Sequence, residues 1–253
     1  DKGEVTYSVF RADSLIMEIN SKSGLYPLLA AYNIYRNRLE AAKEKYGEVG
    51  NAFAMQLWDL TIEQNILVVC KTPMARSITR RTLVGFRDTK VHAEYYKNLI
   101  ENISQNSDLV VNTLRDGKNF WGINENKHMT IDAIIGNPPY QVVDGGGNGA
   151  AAIPIYNKFV CTAKDMHPHY ISMIMPAKWY GGGRGLDDFR KMMLNETHID
   201  YIKDFPNPKS VFPTANISGG VCFFRWSKTH NSNIALFINA FDGTTIESKR
   251  QLN

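Results

Sequence analysis

Apolar and polar positions alternate along this chain in blocks, and the blocks predict strands alternating with helices. Ser14-Leu-Ile-Met-Glu-Ile19 reads as a buried strand and Asn20-Ser-Lys-Ser-Gly24 as a polar turn. A helix is predicted over 25–45, with Leu25, Leu28, Leu29, Tyr32, Tyr35 and Leu39 at helical spacing. Residues 46–64 are interrupted by glycine and then amphipathic through Phe53, Met55, Leu57 and Leu60, which predicts a short helix packed on the sheet. Ile66-Leu-Val-Val-Cys70 is a second strand. Thr72 and Pro73 have the form of a helix N-terminus, where the N–H that proline lacks would have no partner anyway. The spacing predicts a further helix over 91–103, a third strand at 108–112, and a polar loop over 115–127 whose Phe120-Trp121 pair covers the sheet edge. A fourth strand at 131–135 precedes a Gly/Ala-rich stretch at 144–152 that cannot pack as a regular element and should be mobile. The alternation then resumes with helix 154–166, strand 170–175, glycine loop 181–185, helix 186–194 and strand 199–205. Strands at 219–226 and 233–238 are expected to close the chain as an antiparallel hairpin at a sheet edge. This order of elements means an α/β protein with a mostly parallel, doubly wound sheet.

The stretch Ile131-Asp-Ala-Ile-Ile-Gly-Asn-Pro-Pro-Tyr140 stands apart from the pattern. Its strand stops at Gly136, and Pro138 and Pro139 then each fix φ and push the preceding residue out of the helical region. Neither proline carries an N–H, so the carbonyls of Asn137 and Pro138 face outward with no ladder to join. A rigid cluster of hydrogen-bond acceptors results at the C-terminal end of a strand, with Tyr140 beside it. Such a cluster suits a ligand that carries an amine. The turn after the first strand has a complementary character. A small-residue loop leading into a helix leaves free backbone N–H groups at the ligand crevice of a doubly wound sheet.

Composition leaves this picture intact and narrows the functions. The 253 residues suffice for one large or two small domains, with hydrophobic and charged fractions (43% and 21%) ordinary for a globular protein. No apolar run approaches the roughly 18 residues of a membrane span. A net charge of +4 permits nucleic acid without demanding it. Cys70, Cys161 and Cys222 are scattered in apolar settings and are expected as reduced core thiols of a cytoplasmic protein. No His/Cys cluster has ligand spacing, so no metal is expected. A chain that opens at Asp1 without a methionine and ends at Asn253 without a closing element is read as a piece of a longer polypeptide.

Asn137-Pro-Pro-Tyr140, with the strand before it, resembles the catalytic motif of amino-methyltransferases that use S-adenosylmethionine, above all the N6-adenine DNA methyltransferases. Tyr170-Ile-Ser-Met-Ile-Met-Pro-Ala-Lys-Trp179 is similar to a later strand of that family that leads into a Pro-x-x-Trp turn. Phe212-Pro213, followed by Ser218-Gly-Gly-Val-Cys-Phe-Phe224, is similar to the segment that supplies an aromatic to the target base. With the glycine stretch after the tetrapeptide, the chain resembles the methylase part of restriction–modification enzymes that carry methylase and nuclease in one chain. The resemblance implies the S-adenosylmethionine-dependent methyltransferase fold: Rossmann-like and doubly wound, with a mostly parallel seven-stranded sheet and an antiparallel edge hairpin. It implies a single catalytic domain over 1–253. It also implies a cofactor loop, Glu18-Ile-Asn-Ser-Lys-Ser-Gly24, in which Glu18 takes the acidic place, Gly24 the last glycine place, and Asn20 and Ser23 lie between them. Asn112 takes the place of the contact to the cofactor adenine. The chain departs from the family pattern at Lys22, where the first glycine is expected. It departs again at Cys70 and Lys71, where the acid that holds the cofactor ribose is expected.

The activity so implied is methyl transfer to adenine N6 of DNA within a restriction–modification system. The exocyclic amine of adenine is a poor nucleophile because its lone pair is delocalised into the ring. Two acceptors that take both N–H bonds oppose that delocalisation. The Asn137 side-chain carbonyl and the Pro138 backbone carbonyl are suited to the task, with Pro139 keeping the turn rigid. The base must leave the duplex to react, and Tyr140 and Phe212 are the expected contacts to the flipped base. Lys178 and Arg184 would border the DNA. The implied partners are double-stranded DNA and other domains of the same parent chain, whether nuclease, specificity or helicase, with no membrane. Two alternatives stay open: a methylase-like module with impaired catalysis that only binds DNA, and a methyltransferase for an amide or RNA base that uses the same tetrapeptide.

Overall fold

In the computed structural model, which describes residues 9–123, 129–143, 152–241 and 243–253, the chain forms two compact units, Asp1–Gly136 and Asn137–Asn253. In the first unit the apolar block after Ser14 becomes β1 (Ile16–Ser21), buried at every position. It is followed by α1 (Leu25–Tyr46) and α2 (Asn51–Asn65), then by β2 (Ile66–Cys70), equally buried. Then come α3 (Pro73–Val84), β3 (His92–Tyr95), α4 (Leu99–Gln105), α5 (Ser107–Arg115) and β4 (Ala133–Gly136). The strands of this unit run in the order β4-β1-β2-β3, all parallel. Strands covered on both faces need no alternation, which is why β1 and β2 are continuous apolar runs. Thr72 caps α3 as expected, its hydroxyl accepting from the Ala75 N–H with Pro73 in the first turn.

Helical periodicity finds α1 and α2 and misassigns their buried faces. α1 buries Pro27, Ala30, Ala31, Ile34 and Ala42, while Leu25, Leu29 and Tyr32 are exposed. α2 buries Thr61, Ile62 and Asn65, while Phe53, Met55 and Leu60 are exposed. Small side chains let a helix lie close to its neighbours, and the larger residues are left on the outer flank. Asn65 joins α2 to the segment before β1. Its Nδ2 donates to the carbonyls of Ala12 (2.9 Å) and Ser14 (2.7 Å), and its Oδ1 accepts from Arg38 (3.0 Å). Asn65→Ala strands those carbonyls and should lower the unfolding free energy by about 2–3 kcal/mol. The check is a fall in the urea midpoint at constant slope; an unchanged midpoint would show that another donor replaces the amide.

Two expected elements take the opposite form. The segment 91–103 is not one helix: it begins with strand β3 and turns helical only at Leu99. The run at 108–112 is not a strand but lies inside α5, which Asn106 caps by accepting from the Leu109 N–H (3.3 Å) and which buries Val110, Val111 and Leu114. A short apolar run has no period of its own, and here the cap decides. The Phe120-Trp121 pair does cover the sheet edge. Trp121 is buried, donates from Nε1 to the Leu114 carbonyl (2.8 Å), and offers its carbonyl to His92 Nδ1 of β3 (2.9 Å).

The second unit opens with a two-stranded antiparallel ribbon, β5 (Gln141–Val143) and β6 (Ala152–Pro154). The expectation of mobility at 144–152 falls, apart from Ala152, outside the described residues. α6 (Tyr156–Asp165), β7 (Tyr170–Pro176), α7 (Asp187–Leu194) and β8 (Ile199–Phe205) follow close to their predicted bounds. β9 (Val221–Ser227) inserts antiparallel between β7 and β8. β10 (Ile234–Phe241) runs parallel beside β8, and β11 (Thr244–Gln251) closes the edge. The strands expected to form a terminal hairpin, β9 and β10, therefore do not pair. The antiparallel edge hairpin is β10–β11. The sequence of β11 is almost wholly polar and exposed, as an edge strand protected by charge should be, and it leaves no apolar signal. Among the described residues, four sheet strands in the first unit and five in the second, besides the β5–β6 ribbon, replace the seven expected.

Candidate active site

The strands of the first unit are parallel, so the ends of β1, β2 and β3 share one edge. After β1 the chain turns through Asn20 at φ 72 and Gly24 at φ 76 before entering α1. Asparagine and glycine are the residues that tolerate this left-handed conformation. Lys22 is not among the positive-φ positions, which explains how a lysine can stand where the family pattern has a glycine. Gly24 is also tight: a Cβ there would lie 3.1 Å from Thr79 Cα on α3. Its N–H donates to Ser21 Oγ (3.1 Å), and the Ser23 carbonyl accepts from the Thr82 hydroxyl (2.6 Å). The loop is thus fixed by α1 and α3 with Asn20 buried at its start.

Glu18 lies on β1 below this loop and is only 4% exposed. The Ser21 hydroxyl bonds one side of its carboxyl, and its Oε2 has no hydrogen-bond partner among the described residues. Burial pushes the carboxyl up to about 7. The Thr79 hydroxyl links Ser21 (3.4 Å) to the Cys70 thiol (3.8 Å) at the end of β2. Burial pushes Cys70 up to about 11, so the strand end that carries an acid in the family pattern here holds a neutral thiol, followed by the exposed Lys71.

Asn112 does not stand at a strand end. It lies on α5 and is exposed, so the expected contact to the cofactor adenine loses its structural premise. The corresponding strand end is that of β3, where Tyr95 is 39% exposed and Asn98 opens α4 at φ 55. The missed signal was the aromatic pair Tyr95-Tyr96 after His92-Ala93, which favours a strand over a helix start.

β4 ends at Gly136, where a Cβ would sit 3.4 Å from the Ile19 carbonyl oxygen of β1. Asn137, the next residue, opens the second unit. Pro138 is buried, and Asn137, Pro139 and Tyr140 are half-buried. The Tyr140 carbonyl accepts from the Ile155 N–H (3.3 Å), tying the tetrapeptide to the entry of α6.

In the second unit β7 and β8 end together. Both Pro176 and Phe205 pair with Val221 at the start of β9, so the turns after β7 and β8 and the one before β9 meet at one edge. Trp179 anchors the first of these turns. It is buried, donates from Nε1 to Cys222 Sγ (3.4 Å) and packs edge-on against Phe189 of α7. Lys178, the residue before Trp179, is exposed, and a Cβ added at Gly219 would lie 3.2 Å from Lys178 Cγ. Arg184 is exposed in the glycine loop at φ 50. Phe212 is half-buried in the turn before β9, with its N–H bonded to the Pro208 carbonyl (2.8 Å).

A parallel α/β unit with a fixed glycine-ended loop after its central strand, and Asn-Pro-Pro-Tyr after the neighbouring strand, has the fold of S-adenosylmethionine-dependent methyltransferases. Residues 64–212, well over half of the chain, match the model of the Eco57I restriction-modification methylase family, and the chain belongs to that family. It is 34% identical over 128 residues to an uncharacterised adenine-specific methylase of Mycoplasma pneumoniae (strain ATCC 29342 / M129 / Subtype 1). That match covers 49% of this chain and 30% of the relative, so the chain spans well under half of the relative's length. Among solved structures it is similar to the M protein of the type I restriction enzyme EcoKI (TM-score 0.54, 11% identity, 92% of this chain and 46% of that one). It is similar also to the type IIL restriction-modification enzyme MmeI in complex with DNA (TM-score 0.57, 10% identity, 94% and 34%). At such identities these likenesses show the fold.

Proposed function

We propose that this chain is the catalytic methylase part of a restriction–modification protein, transferring methyl from S-adenosylmethionine to adenine N6 in double-stranded DNA. The observation that carries the reading is the position of Asn137-Pro-Pro-Tyr140. It follows directly on a strand whose last residue, Gly136, lies against β1, the strand that leads into the fixed loop. Acceptors on a proline-stiffened turn at a strand end are what an aromatic amine requires. The Asn137 carboxamide oxygen and the Pro138 carbonyl each accept one N–H of that amine and hold its lone pair out of the ring. Tyr140 offers a ring for one face of the base, and Phe212 lies at the edge that Lys178 and Arg184 also border.

The β1 loop fits the cofactor on two counts. The unpartnered Glu18 Oε2 is a buried acceptor that a cationic group would satisfy. The left-handed Asn20 and Gly24 turn the chain into α1, whose N-terminus has no side-chain cap on its N–H groups. Glu18, Asn20, Ser23 and Gly24 would hold it, with Tyr95 and Asn98 at the end of β3 in the part first given to Asn112. When bound, the sulfonium supplies an electrophilic methyl with its own leaving group. The rest is positioning by the chain. The Mycoplasma relative is named an adenine-specific methylase, and the MmeI structure contains DNA; both names agree with the reading. Nuclease, specificity or helicase domains of the same parent and double-stranded DNA are the partners it implies, in the cytoplasm. The described residues include no helix long and apolar enough to cross a membrane.

The test is methyl incorporation from labelled cofactor into adenine-containing duplex by the intact protein. Label in adenine N6 is expected. Binding of duplex with neither cofactor binding nor methyl transfer would instead make the chain a DNA-binding module.

A further inference from the structure

The turn Ala177–Tyr180, which follows β7, carries the exposed Lys178 and is fastened to buried groups of the second unit. Three hydrogen bonds tie it down. The Ala177 N–H donates to the Gly220 carbonyl (3.1 Å), Trp179 Nε1 to Cys222 Sγ (3.4 Å), and Arg190 Nε to the Tyr180 carbonyl (2.7 Å). The Tyr180 ring packs edge-on against Trp179, with centroids 4.6 Å apart. Its hydroxyl is buried and faces Asp204 and Cys222, which pair in register where β8 ends beside β9.

Asp204 is an acid among apolar neighbours: it is 9% exposed and shares a sheet face with Ile202 and Phe224. One of its oxygens is accounted for. Arg250 of β11 donates to Asn239 Oδ1 (3.1 Å), which turns the Asn239 amide so that Nδ2 faces Asp204 Oδ2 (3.5 Å). The other oxygen, Oδ1, has no hydrogen-bond partner among the described residues, and neither has the Tyr180 hydroxyl that faces the carboxyl. A buried donor and a buried acceptor side by side each gain by pairing with the other. Cys222 is no competitor for the hydroxyl, because a thiol sulfur is a weak acceptor and this one already takes the Trp179 N–H. A phenol donating to a carboxylate makes the stronger, charge-assisted bond.

We infer that Asp204 is a positioning residue for Lys178: it accepts the Tyr180 hydroxyl and so fixes the turn that aims the lysine at a phosphate of the duplex. The inference rests on the DNA reading of this edge. The lysine stem is set from two sides. It leaves the turn between the anchored Ala177 and Trp179, and it passes Gly219, where an added Cβ would lie 3.2 Å from Cγ and 3.8 Å from Cε. Without the bond to Asp204, Tyr180 keeps the tie of its carbonyl to the exposed Arg190 and loses its tie to the sheet. An ammonium on a flexible stem suits a phosphate, which asks for charge rather than for a fixed fork of donors.

The test measures binding of fluorescently labelled, unmethylated duplex fragments by the intact protein, at salt from about 50 to about 200 mM. Lys178→Ala should weaken binding about tenfold at about 0.1 M salt and lower the slope of log affinity against log salt by about one, the signature of one lost phosphate contact. Tyr180→Phe keeps the ring on Trp179 and removes the hydroxyl alone. It should weaken binding about fivefold and lower the slope by at least half as much as Lys178→Ala does. Asp204→Leu should match Tyr180→Phe, which carries the test should the leucine variant fail to fold. Asp204→Asn can still bond both Asn239 and Tyr180 and should recover most of the affinity. Placed in the Lys178→Ala protein, Tyr180→Phe should add nothing. A Tyr180→Phe protein that loses stability with no change of slope overturns the inference, as does a Tyr180→Phe loss that persists without Lys178. Both outcomes leave the DNA reading standing. An unchanged slope in Lys178→Ala, or no duplex binding by the unaltered protein, overturns the DNA reading of this edge and the inference with it.

Discussion

Asn137→Ala should slow methyl transfer by about three orders of magnitude, the upper range for losing one preorganised group at a reacting centre. The amide oxygen is one of two acceptors that the turn presents, and the other, the Pro138 carbonyl, survives the substitution. With one N–H of the amine unpaired, the lone pair returns to the ring and nucleophilicity falls. The loss should appear in the single-turnover rate with saturating duplex and labelled cofactor. Cofactor affinity should stay within about twofold, because the β1 loop is made by residues 18–24 and is held by α1 and α3. Asn137→Asp keeps an acceptor oxygen at the same reach and should fall between the alanine variant and the unaltered protein. An alanine variant that keeps more than a tenth of the rate would rule out the side chain as the acceptor.

The part of this site that was legible in sequence is the part set by backbone chemistry. Two prolines after a glycine dictate a stiff turn wherever they fall, and Thr72-Pro73 and Asn20-to-Gly24 likewise carry their conformations in the residue types. What was not legible depends on packing. Leu-Val-Val at 109–111 satisfies a strand and a helix equally, and only the Asn106 cap and the burial of Leu114 decide for α5, which carried Asn112 away from any strand end. The apolar residues of α1 suggest one buried face, yet the alanines supply it. β11 is polar because it is an edge, so the rule that finds buried strands passes over it. The unpartnered oxygen of Glu18 is likewise a property of its neighbours on β2 and β4, which no local pattern contains.

Gly220→Ala should be the most destabilising single-methyl change at the edge where the turns of β7, β8 and β9 meet. Gly220 has φ 78, and a Cβ there would lie 2.7 Å from the Phe205 carbonyl oxygen and 3.1 Å from Pro206 Cα. Both are backbone atoms at the end of β8, and the Gly220 carbonyl is itself held by the Ala177 N–H (3.1 Å). Neither side can yield without opening the joint between β8 and β9. Gly183 provides the comparison: it has φ 76, but a Cβ there meets nothing within 4 Å. Gly183→Ala should therefore cost only the conformational penalty, about 1 kcal/mol. Gly220→Ala should cost about 3 kcal/mol or more, since the clash adds to that penalty. Denaturant midpoints of the two variants measure the gap. Moving Phe205 and Pro206 also moves the turn that carries Phe212, so Gly220→Ala should weaken duplex binding while Gly183→Ala leaves the β8–β9 joint intact. Equal stability losses in the two variants would mean that the joint relaxes freely, and the edge could not then be a rigid support for a flipped base.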